Sequence, residues 1–391
     1  MVRSISDIIG LAAGAIALCS IGYYLICLYN AARFVREQKA AGAGVRPAQS
    51  TQPVSILKPL RGTDPEMYES FRSHCLQNYP EYEIIFGVSD PADPAIELVE
   101  RLKQEYPQRA IRLVICSRNL GTNTKVSNLA QMWPHAKYEN ILVNDSDIRV
   151  EPDYLQRVIA PLQNNEIGLI TCLYRGIASP TLGSRLESLG ISTDFAAGVL
   201  TARQLEGGIR FGLGSTLAFR RSDLETIGGF EAVVDYLADD YEIGKRIAQR
   251  GLKVKLSEVV VETFLPAYTL RQFLDHQLRW GRAVRDSRRG GYLGLVLTFG
   301  LPWAILALAF TRGVLWAWIL LAVVASLRLA VALTVGWSVL RDGQVLSLLP
   351  LLPLRDFSAL LIWVASLFGH EVIWRGDVFE LKDGKLVRIN S

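Results

Sequence analysis

Two regimes of hydrophobic patterning divide the chain. Ile8 to Tyr29 carries no charged residue, and Tyr292 to Gly369 is dominated by Leu, Ala, Val and Trp. Runs of this length cross a hydrocarbon core of roughly 30 Å as helices. Between them, from about Thr51 to Gly290, apolar and charged residues mix as in a globular domain. The pattern predicts an anchor over 1–32, a linker over 33–52, a globular domain over 53–290, a membrane bundle over 291–374 and a tail over 375–391.

Within the globular part, short apolar runs alternate with helix-start signals. Val54–Leu57, Glu83–Val88, Ile111–Cys116 and Ile141–Asn144 read as buried strands. Asp64-Pro65 and Asp93-Pro94 each place a proline at a first helical position, the first helix running to about Asn78. Lys125 to Met132 reads as a further short helix. Such alternation predicts an α/β fold with a mostly parallel sheet and helices on its faces. Ligands in these sheets bind beyond the carboxyl ends of the strands, which directs attention to Asp90, to Gly121–Lys125 and to Asp145–Asp147.

The C-terminal region offers three spans, Tyr292–Phe310, Val314–Leu340 and about Phe357–Trp374. Ser347–Asp356, twice interrupted by proline, reads as interfacial or re-entrant. With the anchor this makes four spans, and both termini then face away from the cytoplasm. Asp383-Gly384, between short alternating segments, predicts a hairpin in the tail.

Composition refines this picture. Half the residues are hydrophobic and mean hydropathy is +0.22, in keeping with a multi-pass membrane protein. The net charge of +4 is too mild for nucleic-acid binding. Positive charges flank the apolar runs, with Arg33, Arg36, Lys39 and Arg46 after the first and Arg279 to Arg289 before the second, which places the intervening domain in the cytoplasm. The first run is longer than a signal-peptide core and reads as an anchor. Five cysteines without a C-x-x-C pair, and four histidines, argue against structural zinc.

Candidate chemistry rests on carboxylates. Asn144-Asp145-Ser146-Asp147 follows a buried strand, and two carboxylates two residues apart share a hard divalent cation such as Mg²⁺ or Mn²⁺ that neutralises a diphosphate. Ala238-Asp239-Asp240-Tyr241 opens a helix; a carboxylate there serves as the base that takes a hydroxyl proton, or simply complements the helix dipole. Gln277-Leu278-Arg279-Trp280 combines an arginine fork for phosphate with an indole face, while Arg282, Arg285, Arg288 and Arg289 suit a basic helix on anionic lipid. Asp90 offers a nucleotide contact or a turn, and Lys125 a cation for phosphates or an exposed loop lysine. Arg328, near the centre of a span, is read as paired with Asp356 or Asp342, or as snorkelling, rather than bound to a lipid head group.

In order along the chain, Asp90, Asp145-x-Asp147, Asp240 and the Gln277–Trp280 turn resemble the D, D, D, (Q/R)xxRW signature of family 2-like glycosyltransferases with a GT-A fold. More narrowly the chain resembles the ceramide glucosyltransferase family, glycosyltransferase family 21. That likeness extends to Leu57-Lys58-Pro59-Leu60-Arg61-Gly62, Asp93-Pro94-Ala95-Ile96, Lys125 with Asn128-Leu129, Ile148-Arg149-Val150 and Trp374-Arg375. It implies an inverting transfer from UDP-glucose to the primary hydroxyl of ceramide. On that resemblance Asp240 is the base, with Asp239, Gln277, Arg279 and Trp280 beside it in catalysis. Asp90, Lys58, Lys125, Asp145 and Ser146 bind the donor, and Asp145 and Asp147 hold Mg²⁺ or Mn²⁺. Animal members carry Asp-Ser-Gly at 145–147 and a histidine at Phe195. The residues here resemble instead bacterial relatives associated with hopanoid biosynthesis, which add an N-acetylglucosamine-type sugar to a polycyclic lipid alcohol. A processive polysaccharide synthase shares the signature but needs a longer membrane channel, and a non-catalytic scaffold would not need the full set of carboxylates.

Overall fold

A computed structural model describes residues 5–43, 52–374 and 377–388. Arg46 and the rest of 44–51, Arg375 and Gly376 lie outside them, while residues 33–43 of the predicted linker instead continue the first helix, Ile5–Ala43. The chain forms two compact units. One comprises Met1–Glu37, Ala178–Gln204 and Ala267–Asp377; the other comprises Gln38–Ile177, Leu205–Pro266 and Val378–Ser391.

The second unit is built on an eight-stranded sheet: β1 (Val54–Leu60), β2 (Tyr82–Val88), β3 (Ala110–Ile115), β4 (Asn140–Val143), β5 (Ile148–Arg149), β6 (Ile167–Ile177), β7 (Leu217–Arg220) and β8 (Lys253–Phe264). Its order is β3-β2-β1-β4-β7-β6-β8-β5. The predicted helices appear between the strands, over Met67–Cys75, Ala95–Glu105 and Thr124–Met132. The predicted parallel order holds across β3-β2-β1-β4. Beyond β4 the sheet is mixed: β7 runs antiparallel to β4 and β6, and β8 is parallel to β6. β1 and β2 are buried at every position, so apolar residues line both faces. Ile56, Ile84, Phe86 and Leu142 lie in one cluster with Phe71 from the first helix. Each such side chain contributes roughly 1.5–3 kcal/mol on burial.

The predicted tail hairpin is present, Asp377–Lys382 pairing antiparallel with Lys385–Arg388, and Gly384 takes the positive φ of the turn. The hairpin docks on the loop at 235–237. Leu237 N donates to Gly384 O at 3.0 Å, and Leu386 N to Asp235 O at 2.8 Å.

Among the described residues three helical stretches are long and apolar enough to cross a membrane: Ile5–Ala41, Leu315–Val339 and Val345–Ser366. The predicted span over Tyr292–Phe310 is bent, its two pieces Arg289–Thr298 and Gly300–Phe310 meeting at 55°, and counted as one span the pair makes four. The bend needs its exposed backbone groups satisfied, and Tyr24 does this. Its hydroxyl donates to Thr298 O at 3.0 Å and accepts from Gly300 N at 3.1 Å. A Cβ at position 300 would stand 2.8 Å from Ser20 Cβ, so glycine is required there.

The segment read as interfacial, Ser347–Asp356, is part of the Val345–Ser366 stretch. Pro350 and Pro353 fall in the opening turns of successive helical pieces, where a missing N–H costs nothing. This stretch ends at Ser366, and Glu371–Trp374 is extended rather than helical. Arg328, 4 % exposed, does pair with Asp356, at 2.7 Å, and also with Asp194, at 2.6 Å. Asp342 instead accepts from Ser192. Arg282 and Arg285, expected to face anionic lipid, donate to the carbonyls of Ser366, Phe368, Gly369 and Glu371. They cap the end of the last span, where the helix dipole favours cations.

Candidate active site

Asn144, directly after β4, is fully buried. Its amide donates to Tyr154 Oη at 2.9 Å and to Ser215 O at 2.6 Å, while its Oδ1 lies 3.2 Å from His74 Nε2. From this anchor the Asp145–Asp147 loop is pinned residue by residue. Lys58, itself fully buried, donates to Asp145 O at 2.9 Å. Ser146 donates to Asp64 Oδ2 at 2.5 Å. Asp147 accepts from Ser70 through its carbonyl and from Thr263 through its carboxylate. Burial pulls the Lys58 ammonium down to about 7, against the pull of Asp147 and Asp145. Lys58 thus supports the loop from beneath, and Ser146 is occupied by Asp64.

The first turn of the helix Thr124–Met132 carries a second lysine, Lys125. Asn123 caps that helix by accepting from Val126 N, and its amide donates to Tyr236 O at 2.7 Å. Thr122 donates twice to Asp235 Oδ1. These ties join the 121–123 loop to the 235–238 loop and bring Lys125 Nζ within 2.8 Å of Asp145 Oδ1 and 3.4 Å of Asp239 Oδ2. Burial opposes its charge, but Asp145, Asp239 and Asp240 together outweigh that and hold the ammonium above its ordinary value.

Asp239 and Asp240 occupy the first turn of the helix Asp239–Gln249, where the dipole favours carboxylates. Burial nevertheless raises both. Asp240, pushed up further by Asp239, reaches about 6, within the range useful to a general base. Asp147 is raised to about 6 by burial and by Asp145. Gly214 marks the point where these groups converge: a Cβ there would stand 3.2 Å from Asp145 Oδ2, 3.4 Å from Asp240 Oδ2 and 3.7 Å from Lys125 Nζ. Asp90 is exposed at the end of β2 and accepts from Ala92 N in a local turn.

The predicted Gln277–Trp280 turn lies in the other unit, on the helix Leu270–Ser287. Gln277 donates to Glu187 Oε2 at 2.9 Å. The (Q/R)xxRW signature requires two residues before Arg279, so its first position belongs to His276, and Gln277 is the neighbour. His276 stacks on Tyr268, with ring centroids 5.5 Å apart, and lies 5.1 Å from Trp280. Phe195 lies 6.1 Å from Trp280.

Among the described residues no group of three or more His, Cys, Asp or Glu side chains is arranged to cage an ion. Asp145 and Asp147 still fit an open site for a hard cation, because Mg²⁺ commonly takes one or two carboxylates with substrate phosphates and water. Sequence reasoning missed Gly214, Glu187 and His276, and it read Asp64 only as a helix start and Asn123 only as part of the Gly121–Lys125 loop. Asn123, an asparagine directly before a short apolar helix, and Asp64, before Pro65, carry recognisable helix-start signals; the other three carry none.

The profile of "Glycosyl transferase family 21" matches residues 12–387. The chain belongs to glycosyl transferase family 21. It is a glycosyltransferase, and its described residues include three apolar helices that are candidate membrane spans. "Ceramide glucosyltransferase 1" of Caenorhabditis elegans is 24% identical over 367 residues, covering 89% of this chain and 75% of that protein. "Ceramide glucosyltransferase 3" of the same organism is 27% identical over 237 residues, covering 60% and 51%. The mannosyltransferase PcManGT from Pyrobaculum calidifontis, solved with GDP-Man and Mn²⁺, superposes with a TM-score of 0.58 at 21% identity, covering 93% of this chain and 99% of that one. That likeness establishes the mixed-sheet GT-A fold.

Proposed function

We propose that this glycosyltransferase moves a hexose with inversion from a UDP-sugar to the hydroxyl of a membrane lipid, with UDP-glucose as donor and ceramide as acceptor. The observation that carries the reading is the meeting of Asp145, Asp240 and Lys125 around Gly214, in a chain similar along most of its length to a ceramide glucosyltransferase.

Asp240 takes the proton of the acceptor hydroxyl as that oxygen attacks the anomeric carbon. The bond from that carbon to the diphosphate breaks, and UDP departs with the electron pair. Lys125 sits beside Asp145 to meet the negative charge that develops. Asp145 and Asp147 would hold Mg²⁺ or Mn²⁺, which supplies Lewis-acid neutralisation of the diphosphate. Asp90 is proposed to contact the nucleotide, and Arg279 and Trp280 to act on the leaving group. The basic flanks support a cytoplasmic catalytic domain on a bacterial inner membrane.

Asp147 and Phe195 favour a second acceptor, a hopanoid receiving an N-acetylglucosamine-type sugar. The test is purified full-length protein given UDP-glucose or UDP-N-acetylglucosamine with ceramide or a hopanoid alcohol, scored by UDP release. Release with UDP-glucose that depends on ceramide supports the first reading. Release dependent only on the hopanoid moves the protein to the second, and none with any pairing contradicts both.

A further inference from the structure

Glu187 is a buried carboxylate outside the Asp145–Asp240 cluster. It sits on the helix Leu182–Gly190, and its side chain has no solvent exposure. Burying a carboxylate is costly unless it is paired. Here two successive residues of the Leu270–Ser287 helix meet its two oxygens. Gln277 Nε2 donates to Oε2 at 2.9 Å, and His276 Nδ1 lies 3.2 Å from Oε1. Gln277 is hydrogen-bonded to the carboxylate and the His276 ring stands against its other oxygen without an aligned hydrogen bond, so one buried group sets the rotation of that turn.

The consequence reaches Trp280. Residues four apart share a helix face, and the His276 ring lies between Tyr268 and Trp280, with Phe195 on the Trp280 ring. Setting His276 therefore sets Trp280. His276 also holds the place where the signature carries glutamine or arginine, so a side chain able to bond a carboxylate is common to all three.

We propose that Glu187 is a positioning residue for sugar transfer, acting through His276 and Gln277 to hold Arg279 and Trp280 in their working arrangement. This rests on the functional reading above for the roles of Arg279 and Trp280.

Two measurements on the full-length protein in detergent test it. Hydrogen–deuterium exchange needs no substrate: Glu187→Ala is expected to raise exchange across 270–287 and leave β1, β2 and β4 protected. Kinetics with UDP-glucose and ceramide read the second consequence. Glu187→Ala should lower kcat by about tenfold to a hundredfold, the scale of a small misplacement of reacting groups, with donor KM little changed. Glu187→Gln should lose less. His276→Arg should stay near wild type, and the Glu187→Ala, His276→Ala double variant should be no worse than the poorer single. Unchanged exchange over 270–287, or losses that multiply in the double variant, would overturn the proposal. Local loosening in a protein whose wild type transfers no sugar would uphold the structural link and contradict the functional reading alone.

Discussion

Lys125 Nζ stands 2.8 Å from Asp145 Oδ1, so the chain places a cation of its own against the carboxylate proposed to face the donor diphosphate. Its second contact, 3.4 Å to the buried Asp239, links two carboxylate loops through one ammonium. Lys125→Met leaves Asp145, Asp239 and Asp240 to repel one another. Removing a charged partner from a buried group costs about 1–3 kcal/mol, so the melting temperature should fall. Steady-state kinetics should show kcat/KM for the UDP-sugar at least tenfold lower, with Lys125→Arg recovering part of it; unaltered kinetics would remove Lys125 from the site.

Asp240→Asn should abolish transfer while calorimetric binding of the UDP-sugar stays near normal. The pH dependence has a defined sign. A base works only when deprotonated, and burial with Asp239 holds the Asp240 carboxyl at about 6. Activity should therefore be full well above pH 6 and fall about tenfold per unit below it. A profile flat down to pH 5 would mean that Asp240 does not take the proton.

Chelation by EDTA should stop turnover, and added Mg²⁺ or Mn²⁺ should restore it. Asp147→Ala should raise the metal concentration needed for half-maximal activity. Turnover indifferent to EDTA would contradict the assignment of Asp145 and Asp147.

The tail hairpin buttresses the loop that precedes Asp239. In Gly384→Val a side chain would enter a turn with φ +81°, its Cβ 3.3 Å from the Tyr236 ring. We expect kcat to fall several-fold with only a small change in melting temperature, since the sheet is untouched. Full activity would mean that the hairpin does not position the loop.

What was legible in the sequence followed local rules. β1 to β4 and their helices could be read because buried strands alternate with Asp-Pro helix starts, and Asp145-x-Asp147 stood out by following one of those strands. The later strands were harder, since antiparallel β7 enters the sheet between β4 and β6 with no periodic signal. The bend at Phe299 depends on a hydroxyl from Tyr24, far away in sequence. Arg282 and Arg285 looked lipid-facing because their carbonyl partners lie more than 80 residues downstream. Glu187 gave no sign of burial, and so no sign that it accepts from Gln277 and faces His276.

The most direct test of lipid glycosylation is mass spectrometry of lipids from cells with and without this protein, supplied with ceramide. The account predicts a new hexosylceramide only where the protein is present, and absent with Asp240→Asn. A new N-acetylhexosamine on a hopanoid, with ceramide untouched, would contradict the ceramide assignment, and no new glycolipid of either kind would contradict the transfer itself.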